Sequence, residues 1–162
     1  MRAERAVRSL VLSLSVPYLP GMTDASDWPD DVAELIEDFA FLDGWEERYM
    51  HVIDLGKAMD PLPEADQIDA NKVRGCASQV WLTSTRNGDG QLVFRGDSDA
   101  HIVRGLVAIA TQVFSNKPDR VICDLDTDAL FDALGLSEHL STQRANGLRS
   151  MVARIKREAG AG

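Results

Sequence analysis

The sequence predicts an α+β domain, and three observations carry the prediction. Apolar residues recur at helical spacing over residues 29–59, and again over 102–114 and 142–158. Between these stretches, residues 78–86 alternate with the period of a half-buried strand and run into Asn87-Gly88-Asp89-Gly90, a strong hairpin-turn signal. At 162 residues, 44% hydrophobic and 27% charged, the chain suits one domain with a sizeable core.

The elements follow in order. The first helix is expected to start near Pro29, whose ring suits a first turn. Asp30, Asp31 and Glu34 complement its positive end, and Val32, Leu35, Ile36, Phe39 and Leu42 mark its inward face. A break is expected at Asp43-Gly44. A second helix over residues 45–59 places Trp45, Tyr49, Val52, Ile53 and Gly56 on one side, and Asp60-Pro61-Leu62-Pro63 stops it. Residues 61–75 read as an extended connection. In the strand that follows, Val80, Leu82 and Ser84 oppose Gln79, Trp81 and Thr83, and residues 91–95 form the return strand. Gly96-Asp97-Ser98-Asp99 leads into a third helix, with Asp97 or Ser98 expected as its N-cap. That helix is apolar almost all round and is expected at the centre of the core. Asn116-Lys117-Pro118 ends it, and Val121-Ile122-Cys123 reads as a short edge strand. A short helix over residues 126–134 finds its C-terminal cap in Gly135. The last helix turns Leu148, Met151, Val152 and Ile155 inward. Its Arg154, Lys156 and Arg157 are expected to complement the negative helix end.

Residues 1–24 stand apart. Arg2, Arg5 and Arg8 precede an apolar run over residues 10–16, which Pro17, Pro20 and Gly21 then break. The pattern mimics a weak signal peptide but lacks a small-residue cleavage site. These residues are read as a disordered or non-native extension, and residues 25–162 as the functional domain.

Charge excludes some classes of function. A formal net charge of −9 argues against nucleic acid as a partner, since that would need a basic face. Residues 24–69 carry 15 acids against Arg48 and Lys57, a net of −13, whereas residues 71–162 carry 12 bases against 10 acids. An acidic front half thus precedes a mildly basic half, either as solvated helix faces or as a polarised surface that orients a protein partner. No apolar run is long enough to span a membrane. Cys76 and Cys123 are the only cysteines and, with His51, His101 and His139 scattered, they give neither a disulfide framework nor a metal site. A reducing compartment, the cytoplasm, is the expected location.

Residues 71–82 concentrate the chemistry. Cys76 is the strongest nucleophile the stretch offers, and its thiolate is the reactive form. Lys72 and Arg74 are expected to favour the thiolate, and Gly75 lets the backbone turn. No His–Asn or His–Asp pair accompanies the cysteine, so acyl-transfer chemistry has no base. Attack on a disulfide or persulfide sulfur needs no separate base. A buried, inert cysteine is the bland alternative. Cys123 lies between apolar and acidic neighbours, where a thiolate is disfavoured, and reads as structural.

The run over residues 71–82 (NKVRGCASQVWL) resembles the cysteine signature of the SufE family of sulfur-acceptor proteins. Residues 39–48 (FAFLDGWEER), 96–105 (GDSDAHIVRG) and 134–148 (LGLSEHLSTQRANGL) resemble further family segments in the same order. Ala77 stands where the family commonly has Gln, and Thr142-Gln143 stand where Pro-Ser is common. The resemblance implies a SufE/NifU-like fold, a small antiparallel sheet of about three strands flanked by helices. It implies a carrier without a cofactor of its own, since the pyridoxal phosphate belongs to a partner cysteine desulfurase of the SufS type. That enzyme would pass sulfane sulfur to Cys76, to be carried towards iron–sulfur scaffold proteins, and the carrier would stimulate the enzyme without being an enzyme itself.

In that reading Cys76 is the persulfide carrier and Gly75 shapes its loop. Arg74 aids the thiolate or meets the partner. Gln79 lies on the strand face next to the loop, and Trp81 is read as packing. Asp97 and Asp99 cap a helix or hold the loop closed. Arg144, Asn146 and Gly147 belong to a segment expected near the loop, with Arg144 the first choice for contacting the desulfurase or the sulfur anion. Because stray thiols and oxidants attack persulfides, Cys76 is expected to turn into an apolar pocket when the protein is free. The alternatives are a stand-alone thiol redox protein, such as a peroxidase or sensor using Cys76, and a non-catalytic binding module. Mass spectrometry of the endogenous protein should find residues 1–21 either absent or open to protease; an intact, protease-protected terminus at Met1 would overturn that expectation.

Overall fold

The computed structural model describes residues 28–160, and the expected extension over residues 1–24 lies outside them. The chain forms α1 (Asp30–Ala40), α2 (Gly44–Ala58), β1 (Val80–Arg86), β2 (Leu92–Ser98), α3 (His101–Phe114), α4 (Asp119–Asp124), α5 (Thr127–Ala133) and α6 (Thr142–Gly160). The connection after α2 holds two 3-10 turns, Glu64–Asp66 and Asp69–Asn71. The break between α1 and α2 falls where expected. Gly44 takes a φ of +81°, a conformation that a side chain would oppose.

The central contact joins α2 to α3. Gly56 and Gly105 let the two helix backbones touch. A Cβ on Gly56 would come within 2.7 Å of the Gly105 nitrogen, and one on Gly105 would overlap the Val52 carbonyl. Arg104, next in line, reaches back across this contact. It donates at 2.7 Å to the Met59 carbonyl and to the Gly56 carbonyl, which also accepts from the Met59 N–H, and so fills acceptor capacity at the end of α2. Its third bond, also 2.7 Å, goes to Asp97. Asp97 is buried, and its carboxylate also accepts from the Leu62 and Ser98 backbone N–H groups. Asp97 is therefore not the N-cap of α3. That position falls to Ala100, and the Ser98 hydroxyl accepts from the Ala100 N–H at 3.3 Å. Nine residues of α3 are buried, as its all-round apolar character predicts.

The sheet is one antiparallel hairpin running from Val80 opposite Ser98 to Arg86 opposite Leu92. Asn87 shapes the turn, since its side-chain oxygen accepts from the Asp89 and Gln91 N–H groups. The return strand is longer than the predicted 91–95. It continues through Gly96 because the missing Cβ admits α3: an added one would sit 2.7 Å from Val107 Cγ1. Val80, Leu82, Leu92 and Phe94 form the buried face.

Among the described residues, two strands, rather than about three, make the sheet. Residues 121–123 lie in α4, where only Ile122 is buried. A three-residue apolar run carries no period, and Pro118 with Asp119 favours a helix start over a strand. Single bridges stand where outer strands would: Lys72 beside Trp81 and Lys117 beside Leu92. Cys123 is exposed rather than packed as a structural cysteine. Gly135, with a φ of +72°, caps α5 as expected, and the Leu136 N–H reaches the Phe131 carbonyl behind it. In α6, Arg154 and Lys156 leave the helix end to serve other segments. Lys156 donates to the Leu125 carbonyl at 2.6 Å, and Arg154 to the chain entering β1.

Gly105→Ala is expected to lower stability by at least about 1–3 kcal/mol, because backbone rather than a flexible side chain opposes the added methyl group. Urea unfolding of the two proteins measures the loss.

Candidate functional site

Cys76 lies in a short loop whose neck is tied. The Val73 N–H donates to the Val80 carbonyl at 2.8 Å, which leaves residues 74–79 as the span between. At the far limb, the Gln79 N–H donates to the Asp99 carboxylate at 3.0 Å, and the Asp99 N–H returns a bond to the Gln79 carbonyl at 3.3 Å. The loop lies against α6. Gly75 has a φ of +91°, and a Cβ there would come within 2.8 Å of Ser150 Oγ. Beside it, the Cys76 thiol donates to the Gly147 carbonyl at 3.5 Å, a long bond from a weak donor. Gly147 is buried, and a Cβ on it would stand 3.1 Å from Cys76 Sγ. A side chain on Gly147 would thus crowd the sulfur, which would have to give by a few tenths of an ångström.

The cysteine faces a cavity of about 290 Å³ between the loop, α3 and α6. Val103, Leu106 and Val107 of α3 line one side, and Leu148 and Met151 of α6 line the other. Ser141, Gln143 and Arg144 supply polar groups to the same lining. Burial pushes the Cys76 thiol up from its ordinary pKa, because a thiolate is costly in apolar surroundings. The flanking cations were expected to do the opposite. Arg74 is exposed, the Lys72 backbone pairs with Trp81, and neither residue lines the cavity that the cysteine faces.

The residues singled out in the sequence fall into four groups. Cys76, Gly75, Gly147 and Arg144 meet at the cavity and its seat. Gln79 and Asp99 tie the loop's exit. Asp97 belongs to the Arg104 junction and touches the residue 61–75 connection through Leu62. Arg74 and Asn146 are exposed on the loop and on α6. Three α6 contributions went unnoticed in the sequence: Ser150, Met151 as a cavity wall, and Arg154. The inward spacing of α6 marks Met151 as buried, but no local pattern says that it faces a sulfur. Among the described residues no cluster of His, Cys, Asp or Glu could hold a metal ion, and no helix is long and apolar enough to cross a membrane.

The model of the SufE family, described as an Fe-S metabolism associated domain, matches residues 33–159. The chain belongs to the SufE family. An uncharacterised SufE-like protein of Rhizobium meliloti is 56% identical over 129 residues, covering 78% of this chain and 92% of that protein. An uncharacterised SufE-like protein of Rhizobium etli is 55% identical over 129 residues, covering 78% of this chain and 87% of that one. A hypothetical protein from Thermus thermophilus, solved in solution, shares the fold, with a TM-score of 0.68 at 15% identity over 83% of this chain and 96% of that one. Membership places this SufE-family chain in iron–sulfur metabolism.

The raised thiol pKa sets a pH profile. Because burial disfavours the charged form, alkylation of Cys76 in the folded protein should reach half its plateau rate at a higher pH than in urea-unfolded protein. Gly147→Ala should displace the sulfur, lower that midpoint and quicken alkylation at neutral pH. Rates measured in a Cys123→Ser background, by mass spectrometry, check both.

Proposed function

We propose that this protein is the sulfur acceptor and activator of a SufS-type cysteine desulfurase, carrying sulfane sulfur on Cys76 towards iron–sulfur scaffold proteins in the cytoplasm. The observation that carries the reading is the seating of Cys76: a thiol in a loop tied at its neck and at Gln79, turned onto Gly147 at the wall of a largely apolar cavity. A carrier needs a sulfur that can be hidden between encounters and offered during them.

In the proposed transfer, the loop leaves its seat and the Cys76 thiol releases its proton to water. The resulting thiolate attacks the outer sulfur of the enzyme's persulfide. The enzyme's S–S bond breaks, its cysteine leaves as thiolate, and Cys76 bears the new S–S bond; no external oxidant or reductant is consumed. Arg74 and Arg144 are assigned to the docked state, as positive charge near the sulfur anion and the partner. Gly75, Gln79 and Asp99 shape the loop, and Asn146 with Gly147 presents the α6 surface beside it. Asp97 acts at one remove, by fixing the connection at Leu62. Pyridoxal phosphate chemistry stays with the desulfurase.

Burial of the thiol also weighs against the alternative of a peroxidase or sensor, which would need a ready thiolate in the free protein. Incubation with a SufS-type desulfurase, pyridoxal phosphate and L-cysteine should add one sulfur to Cys76, detected by mass spectrometry. Cys76→Ser should abolish acceptance and return desulfurase turnover to its rate without the carrier. Full stimulation by that variant would rule out the carrier role, and peroxide-dependent turnover without a desulfurase would favour the redox alternative.

A further inference from the structure

Arg154 makes an unusual set of contacts for a residue near a helix end. Its guanidinium donates to the Asn71 carbonyl at 3.1 Å, Lys72 at 3.0 Å, Ala70 at 3.4 Å and Leu82 at 3.4 Å. Three of these acceptors are consecutive and stand at the end of the 3-10 turn Asp69–Asn71, where carbonyls point outward without partners. The fourth belongs to β1. The Leu82 carbonyl lies on the same strand edge as that of Val80, two residues earlier, and Val80 is already bonded to Val73. Arg154 therefore takes up the edge pairing where the entering chain gives out. Glu158, one helical turn on, holds the guanidinium from behind with a carboxylate oxygen 3.5 Å from Nε.

These contacts join both limbs of the cysteine loop to one helix. The limb entering the loop is held at residues 70–72, and the limb leaving it at Leu82. The same helix carries Gly147 and Ser150, on which the loop tip rests. Positions 147, 150 and 154 are spaced three and four apart and so share a helix face. Neck and tip are thus referenced to one rigid element. They differ in strength, since the neck has a fork of charge-assisted bonds and the tip a single long bond from a thiol.

We propose that Arg154 is a positioning residue that clamps the neck of the cysteine loop and so confines Cys76's movement to residues 74–79. This rests on the proposed carrier role of Cys76 for its biological meaning, but the clamp itself acts in the free protein. A planar fork spans carbonyls on two chain segments; an ammonium, a single compact charge, reaches only one or two of them. Without the fork the neck parts, the sulfur leaves Gly147, and it spends more time exposed.

The test uses the full chain carrying Cys123→Ser, with Arg154→Gln and Arg154→Lys compared against it in the absence of any desulfurase. Both variants should raise the rate of Cys76 alkylation about tenfold, the scale of losing one net charge-assisted hydrogen bond from the closed state. Amide hydrogen exchange should quicken at Val73 and through residues 70–79, while the α3 amides keep their protection. Unchanged alkylation in Arg154→Gln, or full protection in Arg154→Lys, overturns the clamp. Equal acceleration of loop and α3 amides also overturns it, because Arg154 would then be supporting the whole fold. Failure of the carrier reading would show separately, as no added sulfur on Cys76 in the unsubstituted protein when the desulfurase is present.

Discussion

The backbone contact between Gly56 and Gly105 governs more of this molecule than any other single feature. Two helices can approach this closely only where neither carries a side chain. The approach sets α3 against α2, and Arg104 then fixes the pair by bonding across it. With α3 placed, Val107 meets Gly96 and brings the hairpin down on it. The face that carries Val103, Leu106 and Val107 becomes one wall of the cysteine cavity. The seat of the sulfur is thus a distant consequence of two missing side chains.

Polar groups are distributed unevenly around that seat. Buried charge lies outside the lining of the cavity, in Lys117 paired with Asp31 and in the Arg104–Asp97 pair, whose carboxylate also takes two backbone N–H groups. Such pairs persist in low dielectric only when their remaining bonding capacity is filled, and here much of it is. Around Cys76 the surroundings are mainly apolar, and the thiol has one weak partner. Weakly held segments open first in a folded protein. The contrast leaves the tip of the loop more weakly held than the frame around it.

Much of this was legible in the sequence because period and punctuation are local. The helices around residues 30–58, 101–114 and 142–160, the hairpin, the break at Gly44 and the cap at Gly135 all follow from spacing and glycine. Cys76 stood out because two bases and a glycine sit beside it at a strand entrance. Its pKa direction did not follow, because flanking charge is visible in sequence and burial by two remote helices is not. The helix at 119–124 was missed because Val121-Ile122-Cys123 is too short to show a period. Asp97 read as a cap, whereas its partners Leu62 and Arg104 are joined to it only by the folded chain. Arg154 read as a charge suited to a helix end; its acceptors are carbonyls more than 70 residues away in sequence, and carbonyls leave no mark in a residue pattern.

The hairpin's outer edges have a consequence for how the molecule behaves in company. A two-stranded sheet has two edges per pair of strands and little else, so it is open to pairing with a strand from another chain. Here those edges are occupied from within. On β2, Ser115 Oγ accepts from the Phe94 N–H, and the Asn116 N–H reaches the Leu92 carbonyl. On β1, Val73 and Arg154 take the carbonyls of Val80 and Leu82. To pair along the Val80–Leu82 or Leu92–Phe94 stretches, a foreign strand would have to displace a helix-borne guanidinium or a buried hydroxyl. Beside the cysteine loop, these stretches of the sheet are therefore not offered as a template for aggregation.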